Sequence, residues 1–351
     1  MIQQIIERRH HRIVDGLETQ RILPSIDLQM VGPYILLDHI GPFDLVPGFP
    51  ISCDAPPHPH IGLASLTYLF DGALTHRDSL GSEQAIRPGE VNWMIAGRGI
   101  THSERFELAR ATGARIHGFQ IWAALPQEAE QAPPSFSHYP EAVLPRWTEQ
   151  GLAGHVIAGS IEGLTAPSPT YSPQFCARWT IAEGTHRLVP AEYSERAAYL
   201  VSGLLEIAGR RVHPGQMVVF EKGKDAAIIA RAGSTIIIFG GEPIGDRIIF
   251  WNFVSSSRER IQQAVVDWQQ QRFKPPINED RGFTYHPAAI ESTAVSLYNI
   301  DRKRSISLIR GEKHRNISQS KISFRASFFV ICVSSLFLWI TIIAVIKRII
   351  S

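Results

Sequence analysis

Pro57-His58-Pro59-His60 opens, and His102-Ser103-Glu104 closes, the stretch on which the reading of this chain turns. Each end carries two metal-competent side chains two positions apart. Successive side chains of a β-strand point to opposite faces, so residues i and i+2 share one. His58 and His60 therefore point the same way, and so do His102 and Glu104. If the two strands are neighbours, three imidazoles and one carboxylate converge. Such a set suits a divalent first-row ion: iron first, with nickel, copper, manganese, cobalt or zinc as other occupants. A lone His is more often a satisfied core or surface group than a ligand. Two i,i+2 pairs flanking one hairpin-rich segment favour the metal. Pro59 lacks an N–H, so it belongs at an edge, a bulge or a strand start.

Outward from this stretch the chain reads as β. Gly32-Pro33, Gly41-Pro42, Pro47-Gly48, Asp71-Gly72, Pro88-Gly89 and Gly97-Arg98-Gly99 cut it into short pieces. Between them lie Tyr34-Ile35-Leu36-Leu37, Ser65 to Phe70, Val91 to Ile95 and Phe119 to Trp122, rich in β-formers. Strands at this spacing, without helical patterns between them, predict an all-β sandwich or barrel. Asp71-Gly72 reads as a hairpin turn. The segment from Gln127 to Pro173 is rich in Pro, Glu, Gln and Ser and reads as the connection between domains, with one or two short strands around His155 to Gly159.

The next part repeats the first. Tyr199-Leu200-Val201-Ser202-Gly203 echoes Tyr68-Leu69-Phe70-Asp71-Gly72, and Pro214-Gly215-Gln216-Met217-Val218 echoes Pro88-Gly89-Glu90-Val91-Asn92. Carried across this repeat, the positions of His58, His60, His102 and Glu104 fall on Val189, Ala191, Ile228 and Ala230. None is a ligand, so one metal per chain is expected. Beyond Phe253, Ser256 and Glu259 have capping-box spacing. Ile261, Val265 and Trp268 then form one apolar stripe, predicting a helix packed outside a barrel.

The chain has 351 residues, room for two domains, with 35 Lys+Arg against 33 Asp+Glu. That balance gives no electrostatic reason to expect direct nucleic-acid binding. Cys53, Cys176 and Cys332 lie too far apart in sequence to suggest a disulfide framework, which points to a reducing compartment. The N-terminal charged run from Glu7 to Arg12 is followed by no apolar signal region.

The stretches Gly32 to His39, Pro57 to Gly62, His76 to Gly81, Asn92 to Glu104, His117 to Trp122 and Phe250 to Trp268 resemble the pirin family of the cupin superfamily. The resemblance spans about the first 280 residues. It implies a bicupin: two facing jelly-roll β-barrels with a C-terminal helix on the second. The division it suggests is a metal-binding barrel over 1–135 and a metal-free one over 136–283. It implies the same four ligands, His58, His60, His102 and Glu104, with Fe(II) as the foremost ion. The general cupin motif has its Glu between the second and third His; here the Glu follows the last one, as in pirins. The activity implied is that of a quercetin 2,3-dioxygenase, opening a flavonol or related polyphenol with O2. Glu104 would serve as general base, and Phe70, Trp93, Met94 and Phe119 would either wall the substrate or form ordinary core. The runner-up is a non-enzymatic, iron-dependent interaction module, since animal pirins resemble transcription cofactors. A metal-stabilised relic without turnover is the third. His76 and Asp78 belong to the family motif with no role assigned, and a monomer is expected.

Beyond about Phe283 the resemblance stops. A basic linker over 284–325 precedes an uncharged run over 326–346, closed by Lys347-Arg348. The run is long enough to cross a bilayer as a helix. A C-terminal anchor leaving both barrels cytoplasmic is the expectation, and an incidental tail is the alternative.

Overall fold

The computed structural model describes residues 1–14 and 17–279. Two of its sheets enclose the first half. A seven-stranded antiparallel sheet runs in the order Ser135–Tyr139, Val91–Ile95, Leu63–Asp71, Ala114–Ala124, Tyr34–Leu45, Leu17–Leu23, Arg9–Val14. Opposite it lies a four-stranded sheet, Ala55–His60, Ile100–Arg105, Leu74–Asp78, Glu83–Ile86. Ile35, Leu36, Leu63, Met94 and Trp122 of the larger sheet pack on Ile100 of the smaller. The second half is built from one ten-stranded sheet. Its two long strands, Glu195–Ile207 and Ala226–Gly241, bend where their register shifts near Ser202 and Leu204. They thereby serve both walls of a core that includes Trp179, Leu200, Phe220 and Ile238. The architecture is the expected all-β pair of jelly rolls, with sheets open at their edges rather than continuously closed.

The halves repeat residue by residue. In the first, Val91, Tyr68, Phe119 and His39 stand side by side across the sheet; in the second, Met217, Tyr199, Ile237 and Arg178 do. Both rows face the interface between the halves, where Tyr34, Leu37, Trp93 and Phe119 meet Tyr199, Met217 and Phe239 in one core. The two repeat tyrosines reach across reciprocally. Tyr199 Oη lies 2.8 Å from His39 Nδ1, and Tyr68 Oη lies 3.3 Å from both His155 Nδ1 and Arg178 Nη1. The adjacent rows face the two interiors and differ in kind. In the first half it reads His138, Asn92, Thr67, Gln120, Asp38, Arg21. In the second it reads Ile5, Val218, Ala198, Ile238, Ala177, Val156. One interior is lined for polar chemistry and the other for packing.

Three expectations change. Asp71-Gly72 does not close a hairpin, because Leu63–Asp71 and Leu74–Asp78 lie in different sheets. Gly72 turns the corner between them at φ +83°, where a Cβ would stand 2.5 Å from the Arg115 carbonyl oxygen. The helix, Arg258–Gln269, is capped by Ser257, whose Oγ accepts from the Arg260 N–H at 3.2 Å. Ser256 lies one residue before the cap, its N–H donating to Glu130 at 2.7 Å. The helix also seats on the first half rather than the second. Ile261, Ala264 and Trp268 bury against Ile61 and Phe253, while Val265 is only half-buried.

Strands also cross the sequence division. Ile2–Glu7 pairs with Gln216–Phe220 in the second half, and Ser135–Tyr139 pairs with Val91–Ile95 in the first. The linker 284–325 and the apolar run 326–346 lie outside the described residues. Among the described residues, no helix is long and apolar enough to cross a membrane.

Candidate metal centre

Antiparallel pairing sets His102 opposite His58 and Ile100 opposite His60. All three imidazoles turn inward, and their ligand nitrogens lie within 4.8 Å of one another. The ring centroids of His58 and His102 are 4.4 Å apart, and His60 Nε2 is 3.0 Å from His102 Nε2. Each ring is held by its other nitrogen. His58 Nδ1 donates to the Pro56 carbonyl at 2.7 Å and His60 Nδ1 to the Asn252 carbonyl at 3.2 Å. His102 Nδ1 lies 3.2 Å from His76 Nδ1. An imidazole that donates from Nδ1 presents a lone pair at Nε2, the form a metal needs. Burial pushes His58 down to about 4, and lowers His60 and His102 well below the ordinary histidine value. The three are neutral at neutral pH and compete with no proton for a cation.

Glu104 stands apart from that cluster. The pairing of Ile100–Arg105 with Ala55–His60 slips between His102 and Glu104, but the extra residue lies on Ala55–His60. Pairing with Leu74–Asp78 runs unbroken through Glu104, so alternation keeps Glu104 on the face of His102. Its Oε1 accepts from Thr67 Oγ1 across the sandwich at 3.3 Å, and burial raises the carboxyl above its usual range. Thr67 is itself 3.0 Å from Gln120 Oε1, and Gln120 Nε2 donates to Ser65 Oγ at 2.5 Å. The structure thus brings together three of the four sequence-nominated ligands and ties the fourth to the polar row facing them.

Of the four side chains weighed as substrate wall or ordinary core, one lines the interior of the first half. Met94 lies in the first half's interior beside Trp122, whose ring meets His60 edge-on at 5.0 Å. Phe70, Trp93 and Phe119 belong instead to the core between the halves, because their strand positions carry the opposite parity. Phe136 stacks on His76 at 4.1 Å. Three converging imidazoles, two of them held by backbone carbonyls so that Nε2 faces inward, with a carboxylate two positions along the strand, fit a divalent first-row ion.

The Pirin family model matches residues 16–123, and the Pirin C-terminal cupin domain model matches residues 176–274. The chain belongs to the pirin family. A pirin-like protein of Caulobacter vibrioides is 52% identical over 231 residues, covering 66% of this chain and 80% of that one. The crystal structure of a quercetin 2,3-dioxygenase from Acinetobacter baumannii superposes with a TM-score of 0.75 at 30% identity, covering 82% of this chain and 95% of that one. A bacterial pirin, YhhW of Escherichia coli, solved in complex with nickel(II), shares the fold at 19% identity and a TM-score of 0.55, covering 69% and 100%.

Several residues of this pirin's site carry little or no sequence signal. Ser65 and Thr67, polar at i and i+2 in an apolar strand, are a legible hint of a polar interior. Asn252 gives none, since it acts through its carbonyl from 192 positions away. In the second half, Val189, Ile228 and Ala230 are buried apolar core and Ala191 is exposed.

Proposed function

We propose that this pirin is a metal-dependent dioxygenase of the quercetin 2,3-dioxygenase type, acting on a flavonol or related polyphenol with O2. His58, His60, His102 and Glu104 would hold one ion, Fe(II) foremost. The observation that carries the reading is the convergence of three imidazoles, His60 and His102 buried and His58 half-buried, beside a desolvated carboxylate. Likeness to a solved quercetin 2,3-dioxygenase at 30% identity supports it, as does nickel in a pirin of the same fold. When bound, the ion supplies Lewis acidity toward the substrate's oxygens and redox access to O2.

The chain's own residues do the rest. Glu104, made more basic by burial and oriented by Thr67, takes the proton of the flavonol hydroxyl. Thr67 has one hydroxyl proton, which serves either Glu104 Oε1 or Gln120 Oε1, and Gln120 is held in turn by Ser65. Met94 and Trp122 provide apolar surface beside the imidazoles and exclude water.

Oxygen consumption with quercetin is the test, run before and after chelation and with Glu104→Gln at matched metal content. Uptake should vanish without metal and fall about 10²- to 10⁴-fold in the variant, the usual worth of a general base. If no polyphenol gives metal-dependent uptake, the dioxygenase reading fails and a non-enzymatic, metal-dependent binding module takes its place.

A further inference from the structure

Two of the three imidazoles are held by backbone carbonyls, whereas His102 is held by another ring. His76 is buried on the neighbouring strand, its Nδ1 3.2 Å from His102 Nδ1 and its Nε2 3.0 Å from Asp78 Oδ2. Side-chain exposure is 4% for His76 and nil for Asp78, so bulk water does not compete with these contacts. Two nitrogens facing each other leave open which one donates. The far end of the chain closes that question. Asp78 Oδ1 accepts from the Leu80 N–H at 2.8 Å and from the Ser82 N–H at 3.0 Å. A carboxylate so held only accepts, so His76 must donate from Nε2. If His76 carries a single ring proton, that proton is on Nε2, its Nδ1 is bare, and His102 must donate to it. His102 Nε2 is left as a lone pair, 3.0 Å from His60 Nε2.

We infer that Asp78 and His76 are positioning residues that set the tautomer of His102 and thereby its competence as a metal ligand. The inference rests on the metal reading above and gives the family-motif residues His76 and Asp78 a function. Hydrogen-bond direction runs through the relay: Asp78 accepts from His76, and His76 accepts from His102. Phe136, stacked on His76 at 4.1 Å, keeps the ring from turning out of line.

The geometry supplies a directional test. In Asp78→Asn the two backbone N–H groups still demand an acceptor, so the amide oxygen turns to them and the NH2 group faces His76. His76 Nε2 must then accept, its proton moves to Nδ1, and that N–H confronts His102 Nδ1. His102 answers by carrying its own proton on Nε2, where it blocks the metal. A near-isosteric change that keeps the turn intact should therefore inverts the relay, as an amide does in the Ser-His-Asp triad.

The experiment measures Ni(II) affinity by chelator competition, and histidine tautomers by nitrogen-15 NMR on the metal-free protein. Wild type should show His102 protonated at Nδ1. Asp78→Asn and His76→Phe should each lower affinity about 10- to 100-fold, the usual cost of losing such a partner. His76→Asn, which restores an acceptor near the position of Nδ1, should recover most of it. Affinities within twofold of wild type in both damaging variants would overturn the inference. So would a wild-type His102 protonated at Nε2, a result that needs no variant to fold. Failure of wild type to bind Ni(II) would instead strike the metal reading, leaving the tautomer measurement to decide the relay.

Discussion

His60 shows how little of a ligand's setting lies near it in sequence. Its Nε2 faces His102 across one strand pair, while its Nδ1 is pinned by a carbonyl from the chain's other half. Replacing His60 by Ala removes a donor from a buried cluster and should strip most of the metal. His186→Ala, on an exposed position of the second half, should leave the metal content unchanged. Elemental analysis of the two purified variants checks this, and the same measurement on wild type should stop at one ion per chain. Retained metal in His60→Ala, or a second tightly held ion, would contradict the assignment. Two-residue parity located the three histidines from sequence, because strand geometry alone decides it. The same parity puts Glu104 on the face of His102, but that Thr67 of the facing sheet would meet its carboxylate leaves no local mark.

At the scale of elements, the short hairpin Ile248–Phe250 and Phe253–Ser255 brings Asn252 to the centre, and the following helix holds it down. Phe253 and Ile61 are joined by a parallel bridge, and Trp268 buries against both. The helix therefore bears on the metal site from outside the barrel. Trp268→Ala should destabilise the fold by about 3–5 kcal/mol, as for other large-to-small core changes. It should also weaken Ni(II) binding while every ligand remains in place. Denaturant unfolding and chelator competition on the same preparation check both, and unchanged affinity would show that the helix only packs. The helix itself was plain in the spacing of Ile261, Val265 and Trp268. Its seat on the first half was not, because an apolar stripe does not say which surface will cover it.

The whole molecule is held together by a core of large side chains from both halves, with His39–Tyr199 and Tyr68–His155 contacts set into it. Burial first, then the nearby Arg146 and Arg178 charges, hold His155 down to about 4, against 6.5 ordinarily. Between those two pH values the unfolded chain binds a proton that the folded chain refuses. Stability should thus fall as pH drops through that window, by at most about 3 kcal/mol from this residue. Above pH 6.5 both states are neutral and the contribution is fully present. Urea unfolding at pH 7 and pH 4.5 checks this: His155→Gln should lose less stability between them than wild type does. Equal losses would mean that His155 is not buried neutral at the interface.

By itself the sequence determined the all-β class, the repeat, the converging histidines and the apolar character of the equivalent positions in the second half. Each of these follows from local alternation or from comparing one stretch with another. Only the tertiary structure decided which face of each strand meets the other half. It therefore sent Phe70, Trp93 and Phe119 to the shared core and Thr67, Gln120 and Asn92 to the polar interior. It also decided that Ile2–Glu7 completes the second half, that Asn252 braces His60, and that His76 stands behind His102. The reason is physical: pairing partners, sheet-to-sheet packing and backbone carbonyl contacts join residues far apart in the chain, and no local pattern encodes them.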